Sequence, residues 1–176
     1  MPYAVTLRLD PVAAARVTDL WTALARDELT DLLDLGYAPH ITLAVLHDGA
    51  ASVAETVARV AAGWRGRRVR FAGFGVFPGP PAVLWLAPVP DAGLLGLQRE
   101  VCDALPAAHL HPHYRQGAWV PHATLAEDLT VSGLAEALAC VSDGWAPFAG
   151  TLDQVDLVRF RPVSVLWQTR LAPPPA

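Results

Sequence analysis

An α+β fold assembled from two similarly built lobes is what this chain predicts, on three observations. The hexapeptide PHITLA at Pro39–Ala44 returns as PHATLA at Pro121–Ala126, 82 residues further on. That offset continues without insertion, carrying Pro80, Val83, Leu84 and Trp85 onto Pro162, Val165, Leu166 and Trp167, the mark of an internal duplication. Each half also repeats one order of elements, helix, motif strand, helix and hairpin, which favours α+β over an alternating parallel β/α architecture. The 176 residues suit a single domain, with lobes at about 10–90 and 91–171.

Tyr3–Leu9 alternates as a strand, and Pro11–Leu29 carries Val17, Leu20, Trp21 and Leu24 at helical spacing. His40–Leu46 reads as the first motif strand, closed by a turn at His47-Asp48-Gly49. Ala51–Trp64 is a helix with Val53, Val57 and Val60 on one side, and Val69–Val76 with Val83–Pro88 form a hairpin through FPGPP. In the second half Asp91–Leu105 is helical, and residues 106–120 form a loop rich in histidine and proline. His122–Ala126 is the second motif strand, and Ser132–Cys140 a helix with Ser132 as N-cap. Val155–Phe160 and Val163–Leu171 close the chain as a hairpin turning at Arg161-Pro162, followed by a proline-rich, frayed tail.

Composition removes several classes of function. With 53% apolar residues the chain is a packed globule, not a disordered one. All 13 basic residues are arginine, and a net charge of −4 argues against broad electrostatic binding of nucleic acid. Arg65, Arg67, Arg68 and Arg70 form the one basic cluster and read as a solvated strand start. Cys102 and Cys140 have neither disulfide-framework nor zinc-ligand spacing and read as free thiols in helices. The opening MPYAVTLRLD has no signal-peptide pattern and no apolar run has the length of a membrane span, so the expected compartment is the cytoplasm.

The paired motifs carry the chemistry. Side chains two apart on a strand share a face, so His40 and Thr42 project together, as do His122 and Thr124. Facing each other, one imidazole can take a proton from an attacking oxygen while the other gives one to the leaving oxygen, and the hydroxyls can hold phosphoryl oxygens. Unperturbed imidazoles would give a bell-shaped rate profile centred at about pH 6–7.

At these two histidine-x-threonine strands the chain resembles the 2H phosphoesterase superfamily, which includes RNA 2′,3′-cyclic phosphodiesterases and 2′-5′ RNA ligase-like proteins. The resemblance spans nearly the whole chain. It implies a bilobal fold with a cleft between two antiparallel sheets, helices outside, and one motif from each lobe on the cleft floor. It further implies RNA-processing chemistry without metal or other cofactor, on a small nucleotide or an RNA terminus bearing a cyclic phosphate, by a monomer away from membranes. His40 and His122 take the acid and base roles, and Thr42 and Thr124 bind phosphate. In hydrolysis His122 is read as the base on water and His40 as the acid on the departing ribose oxygen; the pseudo-symmetry leaves the reverse assignment open. One departure stands out: many relatives carry an arginine after the second motif, where this chain has Glu127-Asp128. Acidic groups facing a cleft repel a polyanion. Tyr114 and Arg115 are candidates to replace the arginine.

Other constellations compete. HLHPH, with His109, His111 and His113, could converge on a transition metal, but the proline inside it and the lack of further ligand signals favour a loop beside the cleft. Trp119, just before the second motif, is a candidate for stacking on a base, whereas Trp85 and Trp167 read as core packing. The alternative to an enzyme is a nucleotide- or RNA-binding module that keeps the cleft but turns over little.

Overall fold

The computed structural model describes residues 2–47, 50–160 and 162–174. Its elements in chain order are β1 (Tyr3–Leu9), α1 (Pro11–Arg26), β2 (His40–Leu46), α2 (Ala50–Ala61), β3 (Arg67–Phe77), β4 (Ala82–Pro88), α3 (Ala92–Ala104), β5 (Ala123–Leu129), α4 (Val131–Ser142), β6 (Phe148–Arg159) and β7 (Ser164–Arg170), with a 3-10 turn at Pro112–Tyr114. The mixed α+β class and the antiparallel pairing are as the sequence predicts. The expected turns at Asp48-Gly49 and Arg161 fall outside the described residues.

Side-chain caps start three of the helices. Asp10 accepts from the Val12 and Ala13 amides at the head of α1, where Pro11 supplies a pre-set φ. Asp91 accepts from the Leu94 amide at 2.7 Å to begin α3. For α4 the cap is Thr130, whose Oγ1 accepts from the Gly133 amide, so Ser132 already lies inside the helix instead of capping it.

The two expected sheets are joined into one hydrogen-bonded surface, ordered β2-β1-β6-β3-β4-β5, with β7 also on β6. The join is β6: its first half pairs with β3 through Phe148–Leu152, and its second half pairs with β1 and β7. The strands therefore do not segregate as residues 10–90 and 91–171. The repeating unit is β1-α1-β2-α2-β3, repeated as β4-α3-β5-α4-β6 about 80 residues further on. In each unit the third strand crosses over, β3 to pair with β4 and β6 to pair with β1. This exchange ties the halves together and leaves both motif strands, β2 and β5, at the ends of the sheet.

One buried cluster holds sheet and helices together. Val5 and Leu7 of β1, Leu152, Val155 and Leu157 of β6, and Leu84 and Leu86 of β4 meet Val17, Val57, Val101 and Ala137 from the four helices. Gly150 permits the close approach of α1, because a Cβ there would run into the Ala13 methyl. With alternate residues spent on this core, the opposite row of each strand is left for the site.

Candidate active site

β1 sets the register of the first motif. Thr6 sits between Thr42 of β2 and Asp156 of β6, and Arg8 sits between His40 and Gln154. On the other side of the molecule Trp85 of β4 holds the place opposite Thr124 that Thr6 holds opposite Thr42. The row of side chains away from the core is thus the row that carries both motifs.

His40, Thr42, His122 and Thr124 line one cavity of about 210 Å³. Tyr37, Tyr114 and Glu127 add polar groups to its wall, and Leu32, Leu35, Val158, Phe160 and Val163 give it an apolar end. His122 directly precedes β5 and does not open it.

Both imidazoles are fixed in the same way. His40 Nδ1 lies 2.9 Å from the Ala38 carbonyl, and His122 Nδ1 lies 2.7 Å from the Val120 carbonyl. A carbonyl only accepts, so Nδ1 carries the hydrogen and Nε2 holds the lone pair in the neutral ring. Burial pushes both histidines below the ordinary imidazole value, partly offset by these carbonyls, and for His40 the neighbouring His122 depresses it further. For His40 the Asp156 carboxylate pulls upward and Arg8 downward.

Two indoles clamp the motif strands. Trp21 of α1 donates from Nε1 to the Thr124 carbonyl, and Trp119 donates to the Thr42 carbonyl, each at 3.0 Å. Sheet-end strands leave backbone carbonyls without strand partners, and these donors satisfy one at each motif threonine. Trp119 is therefore a half-buried strand clamp, packed against the core. The reading of Trp85 reverses as well: half-buried, it tilts against Phe77 with ring centroids 5.1 Å apart and lies 6.0 Å from His122. Gly75 makes room for it, since a Cβ there would strike the indole.

The loop before β5 divides the remaining candidates. Tyr114 enters the cavity wall beside Thr42, and burial pushes its phenol up to about 12. Gln98 Nε2 and Cys102 Sγ of α3 both donate to the Tyr114 carbonyl, at 2.7 and 3.2 Å, and hold it there. Arg115 is exposed and is not among the residues of the cavity wall. The histidine-rich stretch lies along the free edge of β2: His111 N donates to the Val45 carbonyl and His47 N to the His109 carbonyl. Among the described residues no group of three or more His, Cys, Asp or Glu side chains has a metal-holding arrangement. Of the two acidic residues after the second motif, Glu127 lines the cavity, while Asp128 is exposed with φ of 55°.

Sequence reasoning missed the polar floor beneath His40. Asp156 is fully buried, and its carboxylate accepts from the Tyr37 hydroxyl at 2.9 Å and from Gln154 Nε2 at 2.7 Å. Tyr37 also bonds Thr6 at 2.7 Å, and its ring lies 4.8 Å from that of His40. The signal was present in the alternation of Thr6, Arg8, Gln154 and Asp156 with apolar residues, but strand assignment alone does not say which polar row is buried.

No functionally curated protein matches the sequence. Among solved structures, TT0787 of Thermus thermophilus is similar at a TM-score of 0.66 and 17% identity, over 98% of this chain and 99% of that one. E. coli LigT, crystallised with 3′-AMP, is similar at 0.63 and 16%, over 97% and 99%. Usb1 of Kluyveromyces marxianus, crystallised with uridine monophosphate, is similar at 0.52 and 12%, over 97% and 98%. These likenesses establish a shared fold. The family model of the 2′-5′ RNA ligase superfamily matches residues 9–162, and on that match the chain belongs to this superfamily, within the 2H phosphoesterases, which supports a phosphoesterase- or ligase-like activity.

Proposed function

We propose that this protein is a cytoplasmic, metal-independent enzyme that opens 2′,3′-cyclic phosphates of nucleotides or RNA ends, or related cyclic phosphodiesters, with 2′-5′ ligation as the same ring opening when a 5′-hydroxyl takes the place of water as nucleophile. The observation that carries the reading is the meeting of both His-x-Thr pairs in one cavity, with each Nδ1 held by a carbonyl and each Nε2 left for proton transfer. In hydrolysis the neutral histidine takes a proton from water as its oxygen bonds to phosphorus. The other, protonated, histidine gives its Nε2 proton to the ribose oxygen as the P–O bond breaks. His122 as base and His40 as acid is the assignment adopted. Thr42 and Thr124 donate to phosphoryl oxygens as negative charge moves onto them.

The test is turnover of a panel of nucleoside 2′,3′-cyclic monophosphates and short 2′-5′-linked oligonucleotides in excess chelator. The reading expects full activity there. Activity lost on chelation and restored by zinc or manganese would replace it with a metal hydrolase. Glu127 in the cavity wall favours one second reading, a nucleotide-binding module with little turnover; binding of the panel without product formation is its signature.

A further inference from the structure

Among the described residues, the lining of the cavity that must hold a phosphodiester includes an acidic residue, Glu127, and no arginine or lysine. The two motif hydroxyls and two imidazoles supply donors, but a phosphoryl group that gains negative charge is best met by a fixed cation. We propose that Arg8 is the phosphate-positioning cation of this site, in place of an arginine after the second motif. This inference rests on the reading that the His-x-Thr cavity is a phosphate site.

Arg8 pairs with His40 across β1 and β2, on the same face. Side chains so paired stand about 4.5–5.5 Å apart at Cβ. Arg8 stands beside the cavity wall, next to three of its residues, Thr6, Tyr37 and His40. Its guanidinium lies 5.8 Å from the Tyr37 ring centroid and 3.6 Å from Asp156 Oδ2. That separation is an ion pair beyond hydrogen-bond reach. Asp156 has its own donors in Tyr37 and Gln154. The side chain of Arg8 is 31% exposed where that of Asp156 is fully enclosed. The pair therefore fixes a charge at the site and leaves the fork of five N–H donors without a hydrogen bond among the described residues. Among the described residues, the other titratable groups that act on His40 or share its cavity are Tyr37, Tyr114, Asp156, His122 and Glu127, and none of these is a permanent cation.

The experiment follows inorganic phosphate by NMR titration in wild type, Arg8→Met, Arg8→Lys, Asp156→Asn and the double variant Arg8→Met/Asp156→Asn, with Thr42→Val/Thr124→Val as the reference for the site. Arg8→Met strands a buried carboxylate and can lose stability for that reason alone; the double variant removes both charges together. The expected result is phosphate binding weakened about tenfold or more in Arg8→Met relative to wild type and in the double variant relative to Asp156→Asn, and less in Arg8→Lys. Binding by the double variant within about twofold of Asp156→Asn, while the threonine variant is weak, overturns the role of Arg8 and leaves the phosphate site standing. Phosphate binding unchanged by the threonine variant, or absent in wild type, overturns the site itself.

Discussion

The chemistry proposed for His40 and His122 rests on two features of each: the burial that favours the neutral ring and the carbonyl two residues back that fixes its tautomer. The motif revealed which residues would meet, but not the burial that moves both titrations downward. The sequence-based bell at about pH 6–7 accordingly shifts, and the kcat/KM optimum is expected below the unperturbed value of about 6.5. An optimum above pH 7 would contradict this account of their environment. The same shifts act on stability. With the folded values lowered, the unfolded chain binds more protons in this range, so the contribution of these rings is complete above about pH 6.5 and is lost as pH falls through the folded values. His111, also lowered by burial and by His113 and His47, acts in the same direction. Urea denaturation between pH 7.5 and 5 should show falling stability, and His40→Gln should flatten the slope. Arg8 and Asp156 show the limit of reading by residue type: an arginine in a strand has no distinctive pattern, and only the pairing of β1 with β2 and β6 puts it beside a catalytic candidate.

The motif strands depend on donors that come from other elements. Trp21→Phe keeps most of the packing and removes the N–H to the Thr124 carbonyl. Leaving that acceptor unsatisfied should cost about 1–3 kcal/mol and should lower kcat by shifting the second motif. Trp119→Phe should do the same at the first motif. A Trp21→Phe variant with wild-type melting and kinetics would show that the strand holds its place without the clamp. The element the sequence obscured most is β6, for which only Val155–Phe160 was legible. Its first half contains Gly150, placed for contact with Ala13, followed by Thr151, Asp153 and Gln154, which break the apolar pattern. Gly150→Ala should therefore destabilise the fold by about 1–3 kcal/mol through overpacking, measurable as a lower urea midpoint at unchanged m-value. The starts of α1 and α3 and most strand bounds were legible because Pro11, Asp91 and the alternation of β1, β2 and β4 act locally, whereas α1 and α2 stop at Arg26 and Ala61, each three residues short of the expected ends at Leu29 and Trp64.

At the scale of the molecule, duplication was visible in the shared offset, whereas the exchange of third strands was not, since pairing partners leave no local pattern. The exchange joins the halves through β3 and β6 and holds β2 and β5 at the two ends of one sheet, where their motifs meet over a single cavity. A duplicated core would retain the fold with either motif alone; the proposed chemistry on phosphorus needs both. Steady-state kinetics of His40→Ala, His122→Ala and the double variant on the best 2′,3′-cyclic nucleotide, in excess chelator, tests this most directly. The account predicts a loss in kcat of about 10²- to 10⁴-fold for each single variant, with the double variant far less impaired than the product of the two. Near-normal turnover by either single variant would contradict it.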